Sequence, residues 1–89
     1  MHSPTITEIQ IHLLKADNGL IGFASLVIDG NWFVGNLAVY TRLEGGYRVV
    51  FPTKRLRNDQ EVPIFHPISQ EAGMQIESAI TGAINKLMR

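Results

Sequence analysis

The chain has 89 residues, with eight Lys and Arg against eight Asp and Glu, and it contains no cysteine. This length indicates a single domain, the 45% hydrophobic content argues against disorder, and disulfides and thiolate metal sites are excluded. The formal charge of zero argues against a global electrostatic attraction to nucleic acid, so such a role would need local clustering of cations. No apolar run reaches the roughly 20 residues of a membrane span and no signal-peptide pattern is present, so we expect a cytoplasmic protein.

Residues 5–52 predict an antiparallel sheet of successive hairpins. Alternation over residues 5–14 indicates a first, half-buried strand, and β-branched and aromatic segments at 20–28, 32–41 and 47–51 predict three more. The segments between them are rich in Asp, Asn and Gly, which favour tight turns. Alternation places two sets of side chains on opposite faces of the first strand: Thr7, Ile9, Ile11 and Leu13 against Glu8, Gln10 and His12.

Residues 53–89 predict a loop, a short strand and a helix. Pro52 ends the fourth strand, residues 53–61 read as an exposed basic loop, and residues 62–68 as a short edge strand followed by a His-Pro corner. Ser69 is a favourable N-cap for a helix over residues 69–88 with one apolar stripe. The predicted fold is a single α+β domain over residues 1–89: a twisted antiparallel sheet of four or five strands with one C-terminal helix.

The second and third strands are apolar on both faces. Phe23 and Val27 alternate with Leu26, and Val34 is predicted to lie opposite Leu37. One helix covers only one face, so the other face either exposes aromatic side chains or meets another molecule. We infer a homodimer built on sheet residues or formed by strand exchange. The alternative is that the helix and the loop cover most of this face.

Positive charge is concentrated in the predicted loop, at Lys54, Arg55 and Arg57. Guanidinium and ammonium groups this close together would contact successive phosphates of a nucleic acid. The alternative is a solvated loop whose cations pair with Asp59 and Glu61.

Few other residues suggest a site. Arg48 alternates away from its apolar neighbours and would extend the basic surface, whereas Arg42 is read as an ordinary edge residue. His66 is expected to be a buried or half-buried structural histidine bonded to a backbone carbonyl. The histidines lack metal-ligand spacing, and no nucleophile motif, phosphate loop or carboxylate pair is present. We therefore predict no catalytic residues, no metal and no cofactor.

Two segments carry a resemblance to a known family. Residues 46–55 (GYRVVFPTKR) together with residues 66–68 (HPI) resemble the signature of the SpoVG family (stage V sporulation protein G), the bacterial septation regulators. Residues 6–12 and 22–29 resemble the first two strands of that family, and the likeness extends over about residues 5 to 88. Where the family has a Thr-Pro-Asp-Gly turn after Lys-Arg, this chain has Leu56 to Asp59.

The resemblance implies a dimer that binds DNA and RNA and regulates gene expression in connection with septation and sporulation. It also implies that Lys54 and Arg55 bind nucleic acid. One further basic position of the family is lost in this chain, and Arg57 partly replaces it. The predicted function is therefore non-enzymatic: a nucleic-acid-binding regulator. The alternative is a protein-protein interaction module in cell division that uses the apolar sheet face.

Overall fold

The computed structural model describes residues 4–88 and confirms the α+β architecture. Four strands form one antiparallel sheet in the order β1-β2-β3-β4, and two shorter strands form a separate antiparallel pair. The elements are β1 (Ile6–Asp17), β2 (Leu20–Ile28), β3 (Trp32–Thr41), β4 (Tyr47–Val50), β5 (Thr53–Arg55), β6 (Glu61–Pro63) and α1 (Gln70–Leu87). No helix in this described part of the chain has the length and hydrophobicity to cross a membrane.

The first two turns follow the predicted chemistry. Asn18 and Gly19 have φ angles of 52° and 89°, and Asp29 and Gly30 have φ angles of 53° and 68°. Positive φ at both central residues gives the backbone twist that joins neighbouring antiparallel strands without splaying them. These residue types adopt that conformation readily, so the sequence determines where the first three strands reverse.

Two bulges change the faces predicted from simple alternation. Glu8 and Asn36 both have positive φ angles, 52° and 58°, and the strand register shifts beside each of them. Thr7 pairs with Val27 and Ile11 pairs with Ala24, and these two partners point to opposite sides of β2. The prediction that Thr7 and Ile11 share a face is therefore wrong. Likewise Val34 lies on the same face as Leu37, not opposite it.

The core lies between one face of the sheet and α1. The helix begins as predicted at Ser69, whose Oγ accepts a hydrogen bond from the Ala72 backbone N–H at 3.1 Å. The buried side chains of the helix and of the sheet are Ile76, Ile80 and Ile84 against Ala24, Leu26, Val34, Leu37, Val39 and Val49. Leu87, although part of the predicted stripe, is exposed.

The other face of the sheet, called the open face below, is not covered by α1. Phe23 and Phe33 belong to it and are 37% and 74% exposed. Phe33 pairs with Val27, which lies on the same side of β2 as Phe23. The prediction of an uncovered sheet face that exposes apolar side chains is confirmed for Phe23 and Phe33 in the single chain. The homodimer inferred from it stays a prediction.

The segment predicted as a basic loop is a hairpin. β5 pairs with β6 through Thr53 opposite Pro63, Lys54 opposite Val62 and Arg55 opposite Glu61. The short strand near residue 62 therefore pairs with the basic segment and does not extend the edge of the main sheet.

Candidate nucleic-acid interface

The basic hairpin, defined as residues 53–63, is closed at its base, where Phe51 and Phe65 pack against the core. The Ile64 backbone N–H donates to the Pro52 carbonyl at 3.0 Å, and the rings of Phe51 and Phe65 lie 6.1 Å apart. Because Pro52 has no N–H to continue the ladder of β4, the chain leaves the main sheet at this point. A new two-stranded element starts immediately after it.

The tip of the hairpin is closed by its own hydrogen bonds. The Leu56 N–H donates to the Gln60 carbonyl at 2.7 Å, and the Asp59 N–H donates to the Leu56 carbonyl at 3.0 Å. Asn58 Oδ1 accepts from the Gln60 N–H at 3.2 Å. These bonds determine the path of the tip, on which Arg57 stands exposed.

The three hairpin cations do not share one face. Lys54 and Arg55 are neighbours in β5, and successive side chains of a strand point to opposite sides. All three cations are exposed. The structure therefore presents positive charge on both sides and at the tip of the hairpin.

The hairpin carboxylates do not neutralise these cations by direct pairing. Glu61 accepts a hydrogen bond from the Thr53 hydroxyl at 2.8 Å. Within residues 4–88, neither Asp59 nor Glu61 lies within ion-pair distance of a hairpin cation, while an ion pair of 2.9 Å joins Arg42 to Glu77 elsewhere. The predicted pairing of these cations with Asp59 and Glu61 is therefore not formed, whereas their exposure agrees with the alternative of a solvated segment.

Arg48 lies on the open face. It pairs with Tyr40 across β3 and β4, and its guanidinium carbon is 5.3 Å from the centre of the Tyr40 ring. This cation–π contact orients a charge that would otherwise be mobile. The neighbouring Val49 is buried, as the alternation around Arg48 predicted.

His66 differs from its prediction in one respect. Its side chain is exposed, so the expected burial is wrong, but its Nδ1 does lie 3.0 Å from the carbonyl oxygen of Pro67. Among the described residues, no group of three or more histidine, aspartate and glutamate side chains is arranged to hold a metal ion.

Sequence reasoning did not identify a hollow on the open face. It has a volume of about 310 Å³, and its lining includes Gln10, His12, Phe23, Ser25 and Phe33. The alternation of β1 places Gln10 and His12 on one face. Because simple alternation does not account for the bulge in β3, it does not predict that Phe33 lies on the same face. A Gly35-Asn36 pair inside an otherwise apolar strand is a signal that indicates such a bulge.

A larger groove of about 680 Å³ lies between β1 and α1. Ile9 and Ile11 line its strand side, and the small residues Ala79, Gly82 and Ala83 line its helix side. A Cβ added at Gly82 would meet no atom within 4 Å, so this glycine leaves open space. The described side chains that line this groove include no cluster of charged groups of the kind that a catalytic site needs.

These features define a class: a small α+β domain in which one helix covers one face of an antiparallel sheet and a basic hairpin follows the last strand of that sheet. The sequence profile of the SpoVG family matches residues 4–86, and the chain belongs to this family. The resemblance noted in the sequence is thereby confirmed.

Individual relatives agree with this assignment. A protein of Finegoldia magna is 33% identical over 81 residues, which cover 91% of this chain and 74% of that protein. A protein of Archaeoglobus fulgidus is 32% identical over 78 residues, 88% of this chain and 91% of its own. One from Clostridium beijerinckii is 28% identical over 83 residues, 91% of this chain and 88% of its own. All three carry the provisional name septation protein SpoVG.

Proposed function

We propose that this protein is a non-enzymatic, cytoplasmic regulator that acts in septation and sporulation control by binding the phosphates of DNA or RNA through the basic hairpin. The hairpin cations Lys54, Arg55 and Arg57 would make the main contacts, and Arg48 would extend them. One observation carries the proposal: three exposed cations stand on a hydrogen-bonded hairpin, and none of them lies within ion-pair distance of a carboxylate among the described residues. The septation context comes from the names of the relatives.

The placement of the cations favours a particular mode of contact. Because Lys54 and Arg55 point to opposite sides, a nucleic-acid backbone would meet the hairpin at its tip, with phosphates on both sides of β5. Each phosphate neutralised in this way releases condensed counterions, so binding would weaken as salt rises. Phosphate contacts position the protein and carry no sequence information themselves.

A homodimer would present this hairpin twice and so double the local positive charge, although the net charge of each chain is zero. β1 is a strand of 12 residues at the edge of the sheet. An edge strand offers unpaired backbone groups to a second copy, so strand pairing along β1 would form such a dimer. Light scattering coupled to size-exclusion chromatography would give a mass of two chains for the dimer and of one chain if the proposal is incorrect.

Fluorescence anisotropy with labelled single- and double-stranded oligonucleotides tests the nucleic-acid proposal across a salt series. For one hairpin with three phosphate contacts on duplex DNA, the log–log slope is about −2.7, and affinity falls about 40-fold between 50 and 200 mM salt. A Lys54→Ala/Arg55→Ala variant leaves one contact, with a slope of about −0.9 and a fall of about 3.5-fold.

The matched control is a Lys15→Ala/Lys86→Ala variant, which removes the same charge from exposed positions outside the hairpin. It should bind nearly as the parent protein does. Equal losses in the two double variants would mean that net charge acts without a defined site. An unchanged slope in the hairpin variant would reject the hairpin as the site.

A second candidate function is a protein-protein interaction module in cell division that uses the open face. The exposure of Phe23, Phe33 and Val50 favours it, because apolar side chains grouped on one surface are typical of docking sites. Binding through such a surface would depend little on salt, which separates the two candidates in the same titration.

A further inference from the structure

We propose that the open face is a stacking platform for the bases of single-stranded nucleic acid, with Phe33 and Phe23 as the rings on which bases lie. This inference rests on the proposed function and adds a substrate class to it. The basic hairpin would hold phosphates, and the sheet would select strands whose bases are unpaired.

Phe33 has the exposure that such a platform needs. A Cβ built on Gly35 would lie 3.1 Å from Cε2 of Phe33 and 3.4 Å from its Cζ, so that glycine lies beside one edge of the ring. The side chain is 74% exposed. The sheet therefore contacts the ring at an edge and leaves most of its surface open to a planar ligand.

Phe23 extends the platform toward the middle of the sheet. Its cross-strand partners are His12 on one side and Ala38 on the other, and the small Ala38 side chain leaves the ring 37% exposed. Phe23 and Phe33 line the same hollow, so neighbouring bases of one strand would reach both. Base stacking on aromatic side chains tolerates any sequence because every base has a π-face.

The polar groups around the rings suit nucleobases. Gln10, His12, Ser25 and Asn36 line the hollow and supply amide, imidazole and hydroxyl groups that donate to and accept from base edges. No carboxylate lines this hollow within the described chain. Arg48, held on the same face by Tyr40, adds positive charge, so the surface is complementary to a polyanion that carries bases.

These features favour a single strand over the other possible occupants. In a duplex the bases stack on one another, and their π-faces are not available to protein rings. In an apolar contact with a second copy, the amides of Gln10 and Asn36 would lose water without assured partners, which costs free energy. A single strand offers bases that stack on the phenylalanine rings and base edges that form hydrogen bonds with the polar side chains.

The test compares Phe33→Leu with Trp32→Leu. Phe33→Leu keeps an apolar side chain but removes the π-face. Trp32→Leu likewise replaces an aromatic ring by leucine, at the preceding residue. Trp32 is 68% exposed, but it pairs with Ile28 and points to the opposite side of β3. The probes are labelled oligothymidine and the duplex that it forms with oligoadenosine. Circular dichroism verifies that both variants fold.

We expect Phe33→Leu to weaken oligothymidine binding by at least about 5-fold, since one stacked base contributes roughly 5- to 160-fold. The salt slope should not change, because stacking releases no counterions. Binding of the duplex should change less than about 2-fold, and Trp32→Leu should leave both affinities within the same limit.

Other outcomes overturn the inference in distinguishable ways. If Phe33→Leu binds oligothymidine as the parent does while Lys54→Ala/Arg55→Ala lowers the slope, the proposed function stands and the stacking platform does not. If Phe33→Leu converts a dimer to a monomer, the open face belongs to a second copy. If the parent protein binds neither probe at low salt, both proposals fail.

Discussion

Gly22→Ala and Gly82→Ala add the same methyl group, and we expect opposite effects on stability. Gly22 is buried in β2, beside β1. A Cβ there would collide with the carbonyl oxygen of His12 and lie 3.1 Å from the Cα of Leu13. Both are backbone atoms, so no side-chain rotation relieves the contact, and β1 must move away from β2.

The expected magnitudes follow from these surroundings. Overpacking of this kind costs about 1–3 kcal/mol, and Gly22→Ala should lie at the upper end because the clash is with backbone. Gly82 lies on an exposed helix position with no atom within 4 Å of an added Cβ. Replacing a helical glycine by alanine there should stabilise the protein by about 1 kcal/mol. For a domain of this size, each kcal/mol shifts Tm by about 4–8 °C.

Urea and thermal unfolding followed by far-ultraviolet circular dichroism measure both variants at one protein concentration. Gly22→Ala should lower the urea midpoint and Gly82→Ala should raise it. A Gly22→Ala variant as stable as the parent would show that β1 is not held this close to β2 at His12. A destabilised Gly82→Ala variant would show that the groove between β1 and α1 is filled in solution.

Three further predictions concern α1 and its contacts. Ile80→Ala should lower the free energy of unfolding by about 2–5 kcal/mol in urea titrations because Ile80 is fully buried, whereas Met74→Ala, 63% exposed on the same helix, should change it by less than about 0.5. Ser69→Ala removes the N-cap acceptor and should cost about 1 kcal/mol, with Ser69→Asp restoring stability. Glu77→Gln breaks the exposed ion pair with Arg42 and should cost under about 1 kcal/mol, a difference that disappears in thermal melts at high salt.

The sequence predicts the elements of this fold well because local chemistry determines them. Ser69 caps the helix, the isoleucines at 76, 80 and 84 repeat with its period, and Asn18-Gly19 adopts the conformation that its residue types favour. Pro52 ends β4 because it cannot donate to the ladder. Each of these signals acts within a few residues, so no knowledge of distant contacts is needed.

The faces of the strands were harder to predict. Glu8 and Asn36 each insert one residue into a ladder with a positive φ angle, and every side chain beyond the bulge changes face. Simple alternation therefore separated Val34 from Leu37. The open-face hollow depends on these shifts, which is why its residues did not emerge from the sequence pattern.

The candidate site was predicted in its composition but not in its arrangement. The concentration of cations at residues 54–57 is visible in the sequence, since it needs only counting. That Lys54 and Arg55 point apart depends on the pairing of β5 with β6, and a three-residue strand containing two cations has little strand signal of its own. Its partner β6 contains a proline, which further masks the pairing.

The basic hairpin closes its own hydrogen bonds, and at its base the Pro52–Ile64 hydrogen bond and the Phe51–Phe65 contact hold its two arms together. Its tip is consequently an exchangeable arm: residues 56–60 can differ in length or charge without opening any bond of the main sheet. Under the proposed function, a graft of the corresponding arm from a relative onto this scaffold would change the phosphate contacts, and with them the affinity and the salt slope, while the unfolding midpoint stayed constant. Affinity and stability would then diverge independently in this domain.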